Sequence, residues 1–331
     1  MRVTNKMSIS SVLANLQINQ AKLNKTNNKL SSGKKISIPQ DDPTGTIKAM
    51  GYRSNLKEIE QYLSNVDNAK TVLNATDVSL NQITNILQRV RELAVKAANG
   101  TFEQTSRDAI ADEVTQLTDE LVGIANTKVG SKYIFGGYET TTAPFKSYTG
   151  NNDSGVGGPG GDITDVNGNV RSGINNNNIT VVEYNGDSGR LQAEIDEEVR
   201  TSYNVSGKEV FIDSGNVFQT IMNLRDSIYA GEIKDENSDG KSIEDGINDL
   251  EDSITKILRY RAEVGAKMNR MDQAKTKLEN QQINITDLLS NTEDTDVTKT
   301  IMDLKVQESV QRMALSVGAR VIQPTLIDFL R

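Results

Sequence analysis

The chain contains no cysteine and no histidine. Without them there is no thiol nucleophile, no imidazole general base, no disulfide, and no metal site built on the nitrogen and sulfur ligands that zinc prefers. Carboxylate-only catalysis and oxygen-ligated Ca²⁺ or Mg²⁺ survive that exclusion. Tryptophan is also absent, and aromatic residues make up 5% of the 331 residues. That is little for a large compact core, and a mean hydropathy of -0.49 suits an elongated bundle with much surface per residue. No window approaches 18 apolar residues, so no membrane insertion is expected. A formal charge of -8 is the wrong sign for nucleic acid as a main partner. Residues 1–10 lack the apolar stretch and cleavage site of a secretory signal. If the protein leaves the cell, it leaves by a route that cleaves nothing.

Two long stretches of unbroken 3-4 apolar spacing stand near the two ends. One runs through Ile59, Tyr62, Val66, Ala69, Leu73, Thr76, Leu80, Ile83, Leu87, Val90 and Ala94. The other runs from Ile243 through Leu250, Ile257, Val264, Met271 and Leu278 to Leu289. Registers of that length predict long helices packed side by side as an antiparallel, coiled-coil-like bundle, a rod built from both chain ends. Asp42 before Pro43 reads as N-cap and N1 of a helix reaching about Ala98. Thr101 to Gln104 reads as a capping box for a third helix carrying Ile110, Val114, Leu117 and Leu121. Gly33 is placed to end the first helix in the left-handed conformation.

The middle of the chain changes to Gly, Asn, Asp and Thr. Residues 179–184, Asn185-Gly186 and 191–195 read as strand, turn and strand. The expected organisation is therefore terminal helices at 1–40 and 297–331, a helical rod of 41–130 and 216–296, and a small β-rich insert at 131–215. Fold class is mainly α. Helix resumes at Asn216, with Val217, Ile221, Leu224 and Ile228 on one face.

The terminal stripes are thinner. Ile9, Leu13, Leu16, Leu23 and Leu30 line one, with Gln20 and Asn27 interrupting it, and Val306, Val310, Met313 and Val317 line the other. Having no evident groove within the chain, these nine residues are the expected assembly interface between subunits. Polar seam residues Arg261, Lys275 and Gln282 are candidates for fixing register.

Three motifs reduce to bland readings. Residues 235–240 open like a Ca²⁺ loop, but its twelfth position, where a bidentate Glu belongs, is Gly246. An acidic turn is the better account. The Gly-rich run at 155–161 lacks the Lys-Ser/Thr of a phosphate cradle. Paired acids such as Glu197 and Glu198 have nothing to place them across a cleft. No catalytic constellation, metal site or cofactor site is expected, and a carboxylate-dependent hydrolase in the insert is the weakest alternative.

Met1-Arg-Val-Thr-Asn-Lys-Met7, Leu30-Ser-Ser-Gly-Lys-Lys-Ile36 with Asp41-Asp42-Pro43, and Ile59-Glu-Gln-Tyr62 resemble the flagellin superfamily. Asn126-Thr-Lys128, Tyr133-Ile-Phe-Gly-Gly137 and Ala143-Pro-Phe145 are more discriminating. They resemble its hook-associated branch, which joins hook to filament, more than the filament flagellins, which stand as the alternative. The resemblance marks Tyr133, Phe135, Gly136 and Gly137 as a family motif. It implies a structural, non-enzymatic component of the bacterial flagellum, extracellular, with no cofactor, needed for filament assembly and motility. It also implies export unfolded through the flagellar type III apparatus with a dedicated chaperone. Terminal helices that order on assembly, self-association into a helical ring or layer, and contact with hook-associated protein 1 and flagellin are implied in the same way. Leu87-Gln-Arg-Val-Arg-Glu-Leu93 resembles the flagellin stretch used for subunit contact and read by the innate flagellin receptor. By that resemblance Arg89, Arg91 and Glu92 are expected subunit contacts.

Overall fold

The computed structural model describes residues 5–99, 103–150, 163–164, 170–171, 179–213, 215–231 and 242–322. The acidic loop at 235–240, the glycine run at 155–161, Thr101 of the expected capping box and the tail beyond Pro324 lie outside them. The chain divides into two compact units. Unit 1 comprises Met1–Glu60 and Glu279–Arg331, and unit 2 is Gln61–Leu278.

Unit 1 contains α1 (Asn5–Ser32), the start of α2 (Pro43–Ala97), the end of α5 (Ile243–Glu293) and α6 (Val297–Ile322). Gly33, with φ +69°, ends α1 as its sequence position predicts. The Asp42 carboxylate accepts the Gly45 N–H at 3.0 Å, which makes it the N-cap of α2 with Pro43 at N1. α1 and α6 pack against each other. Gly318 on α6 faces Val12 and Leu16 of α1, and the Gln311 amide donates to Gln20 at 3.3 Å, so the two helices run antiparallel.

Unit 2 holds the rest of α2 and α5 with α3 (Gln104–Ala125) and α4 (Val217–Ala230). Arg91 with Glu251, Asp77 with Arg261 and Asp67 with Lys275 pair in opposite numerical order, which fixes α2 and α5 as antiparallel. Both helices bury residues on a seven-residue repeat. Val66, Leu73, Leu80, Leu87 and Ala94 on α2 meet Ile243, Leu250, Ile257, Val264, Met271 and Leu278 on α5 in one core. α2 buries more than one stripe: Ile86 and Leu93 are buried too, and Arg89 between them in sequence pairs with Glu113 of α3. α4 begins where helix was expected to resume, capped by the Asn216 side chain, which accepts from the Gln219 N–H. α5 is capped by Ser242, whose hydroxyl accepts the Asp245 N–H at 3.2 Å and donates to its carboxylate at 2.8 Å. α3 differs: its N-cap is Glu103, with no side-chain capping bond.

Between α3 and α4 lie short antiparallel strands: β1 (Lys128–Val129), β2 (Lys132–Tyr133), β3 (Phe145–Gly150), β4 (Ile163–Thr164), β5 (Val170–Arg171), β6 (Ile179–Tyr184), β7 (Gln192–Asp196) and β8 (Val199–Ser202). They pair as β1 with β2, β3 with β6, β4 with β5, and β7 with β8. The expected strands at β6 and β7 exist, yet they do not form a hairpin with each other. Asn185 turns its N–H to the Pro144 carbonyl at 2.8 Å, so β6 finds its partner upstream. A five-residue π-helical turn, Lys208–Ile212, leads into α4. No helix among the described residues is long and apolar enough to cross a membrane.

Candidate assembly interface

α6 carries two parallel stripes one residue out of phase. Leu304, Gln307, Gln311, Ala314 and Gly318 form the side turned inward, where Gly318 is buried and the others are half-buried. Val306, Val310, Met313 and Val317, each one residue earlier than a member of that set, lie between 39% and 61% exposed. At 100° per residue the apolar stripe sits roughly a quarter-turn away from the seam. The acceptor oxygens of Gln307 and Gln311 are buried there without a partner. α6 thus presents a mixed side, with Gln307 and Gln311 among Leu304, Ala314 and Gly318, to α1 and its wholly apolar stripe outward.

The α1 stripe divides differently. Ile9, Leu16, Leu23 and Leu30 are half-buried on the side facing α6, so a groove for them does exist within the chain. Leu13 is exposed, as are Met7 and Ile18 elsewhere on α1. Of the predicted α1 residues, then, four contribute to an intramolecular pair and Leu13 remains open to solvent.

Apolar exposure is concentrated in unit 1. Among the described residues sixteen of the twenty-one exposed large hydrophobic side chains belong to it, against three of the forty-one buried hydrophobic ones. What fastens unit 1 in place of a core is largely polar. Lys35 donates its N–H to the Glu293 carbonyl and Thr295 donates to Gly33, which ties the α1–α2 connection to the α5–α6 connection. The Glu293 carboxylate, 4% exposed, receives both Lys34 and Arg53. Burial pushes that carboxyl up, but the two cations more than offset it and hold it below its ordinary value. On the surface nearby, Lys25 beside Asp41 lowers that carboxyl in the same way.

Arg89, Arg91 and Glu92 are surface residues of α2 that already have partners inside unit 2. Arg89 reaches Glu113 at 2.7 Å and Glu92 at 3.4 Å, and Arg91 reaches Glu251 at 2.5 Å. The Glu113 carboxylate raises the Arg89 guanidinium above its ordinary pKa, so its charge is permanent. Each side chain is about half exposed or more, so a further contact is sterically open. Arg261 and Lys275 also prove to be cross-helix ion pairs, with Asp77 at 2.9 Å and Asp67 at 2.8 Å, as befits polar seam residues.

Residues 133–137 form an architectural joint. Phe135 is fully buried, 5.4 Å from the Phe211 ring, in a cluster continued by Phe145, Phe218 and Tyr184. A Cβ on Gly136 would stand 2.4 Å from the Glu139 carbonyl. Gly137 adopts φ +72° and abuts Asp187, whose carboxylate accepts the N–H groups of Tyr138 and Gly189. The Asn126 side chain pairs with both backbone groups of Phe145, at 2.8 and 3.0 Å, as a strand would. The separate motifs Asn126, Tyr133 to Gly137 and Phe145 therefore lock onto one another.

Sequence reasoning missed Asp187 and Lys256. Lys256, buried on α5, donates to the carbonyls of Asp213 and Gly215 ahead of α4, and burial pushes its ammonium pKa down. Neither residue stands in a recognisable pattern; Lys256 acts on backbone atoms distant in sequence, and Asp187 joins the distant Tyr138 N–H to the nearby Gly189 N–H.

The bacterial flagellin N-terminal helical region matches residues 3–140, and the bacterial flagellin C-terminal helical region matches residues 247–330. The chain is 25% identical over 314 residues to flagellar hook-associated protein 3 of Escherichia coli, spanning 93% of each. It is 23% identical over 382 residues to polar flagellin F of Vibrio parahaemolyticus, spanning 98% of this chain and 97% of that one. The crystal structure of the flagellar junction protein FlgL from Legionella pneumophila superposes with a TM-score of 0.51 at 14% identity, over 76% of this chain and all of that one. Both ends match flagellin helical regions and the fold is shared, so the chain belongs to the flagellin family.

Proposed function

We propose that this protein is a structural subunit of the bacterial flagellum, placed at the junction between hook and filament. The observation that carries an assembly role is the distribution of apolar surface, with sixteen of twenty-one exposed large hydrophobic side chains among the described residues in unit 1. Isolated exposed apolar residues are ordinary, but a stripe such as Val306 to Val317 on one helix face marks a surface meant for another chain. The nine terminal stripe residues then serve two ends. Ile9, Leu16, Leu23 and Leu30 pair α1 with α6, and Leu13 with the α6 stripe meets neighbouring copies. Non-closing contacts of that kind build helical layers. Arg89, Arg91 and Glu92 supply a second, polar contact on unit 2.

Hook-associated protein 1 on one side and flagellin on the other are the proposed neighbours. Delivery is through the flagellar export apparatus with a chaperone, without signal cleavage, the thinly packed terminal helices ordering as they join the layer. An architectural role without catalysis fits the family. A filament-forming flagellin is the second reading, favoured by the likeness to polar flagellin F. Deleting the gene decides between them. A junction subunit gives hooks without filaments by electron microscopy and flagellin free in the medium, and the full chain restores filaments. A strain that still grows filaments, or sheared filaments made mostly of this chain, overturns the junction assignment.

A further inference from the structure

We propose that a cleft in unit 2, between α2 and the two hairpins β1–β2 and β7–β8, binds a neutral polyhydroxylated ligand, a short oligosaccharide. The cleft has a volume of about 630 Å³, in the size range of small-molecule sites. Its walls are amide and phenol rather than charge. Asn68 on α2 and Gln192 on β7 line it, with Tyr133 from β2 and Tyr203 after β8. The polar ends of these four side chains make no hydrogen bond to another described residue. Amides offer donor and acceptor together, which suits hydroxyl groups that are both. The tyrosines supply ring surface beside a polar tip, and Lys128 stacks on the Tyr133 ring at 4.4 Å and holds it in place.

Charge selects the ligand class further. Among the described lining residues Lys132 and Glu194 alone are charged, and they offset each other, so neither a phosphate nor a polycation gains a net attraction. The frame is firm: Asn65 on α2 donates to the Glu194 carbonyl at 3.0 Å, tying helix to strand across the floor. This site lies apart from the terminal stripes and does not rest on the junction reading.

Chitotriose and maltotriose, each titrated into the full-length chain to roughly 20 mM, test the idea, since millimolar dissociation constants are expected of an open cleft. The readout is amide chemical shift in the ¹⁵N-labelled protein. Asn68 and Gln192 are both exposed, so the double variant Asn68→Ala with Gln192→Ala keeps the fold, which helicity confirms. Saturable shifts confined to the cleft, weakened roughly tenfold in the double variant, are the expected result. Shifts with neither sugar, shifts mapping elsewhere, or binding unchanged in the double variant overturn the proposal.

Discussion

Glu293 shows what a single side chain does when apolar packing is thin. Its carboxylate is nearly closed off from water and is addressed by Lys34 from the α1–α2 connection and Arg53 from α2. Its folded pKa lies below the ordinary 4.5. A carboxyl with a depressed folded pKa stabilises the protein above its unfolded value and loses that contribution as pH falls through the folded one. Glu293→Gln is therefore expected to cost about 1–3 kcal/mol at neutral pH, because a buried charged partner is removed. The gap between variant and parent should shrink as the pH falls from 4.5 through the lower folded value, where the parent carboxyl is itself neutralised. Urea titrations of both proteins at neutral and acidic pH check this. A gap independent of pH would mean the two cations do not recognise the charge.

At the scale of elements, periodicity read the helices well because caps and repeats are local. Asp42 with Pro43, Ser242 with Asp245, and Asn216 bound their helices where the residue types predict. What periodicity does not contain is which side of an amphipathic helix is covered. α6 carries a mixed 3-4 stripe, with Gln307 and Gln311 among Leu304, Ala314 and Gly318, beside a wholly apolar one, and the mixed stripe is the one that faces α1. Strand pairing was equally hidden. Alternation identifies β6 and β7, but their partners are chosen by Pro144 and by the loop that Asp187 braces, neither of which alternation registers. Replacing Val306, Val310, Met313 and Val317 together by serine leaves the α1–α6 seam untouched. The monomer should keep its helicity by circular dichroism while the protein no longer restores filaments to the deletion strain. Full restoration would show that the stripe meets no neighbour.

For the whole molecule, the division of burial sets an order of stability. Unit 2 holds thirty-eight of the forty-one buried hydrophobic residues among those described, and unit 1 holds three. Local opening follows such differences. In the monomer, amides of α1 and α6 are expected to exchange with deuterium orders of magnitude faster than those around Leu80 and Ile257, and removing residues 1–30 or 305–331 should leave a folded, soluble unit 2. Equal protection throughout would show that the terminal pair needs no neighbour to be stable. The seven-residue spacing from Val66 to Ala94 and from Ile243 to Leu278 has a consequence for how such a chain changes over time. One inserted residue in either run turns every later side chain by about 100° and throws the buried set to the surface. Seven inserted residues restore it, provided the antiparallel partner gains seven opposite them. The length of this helix pair is therefore biased towards steps of seven, matched on both helices, since any other step must be absorbed by local over- or unwinding.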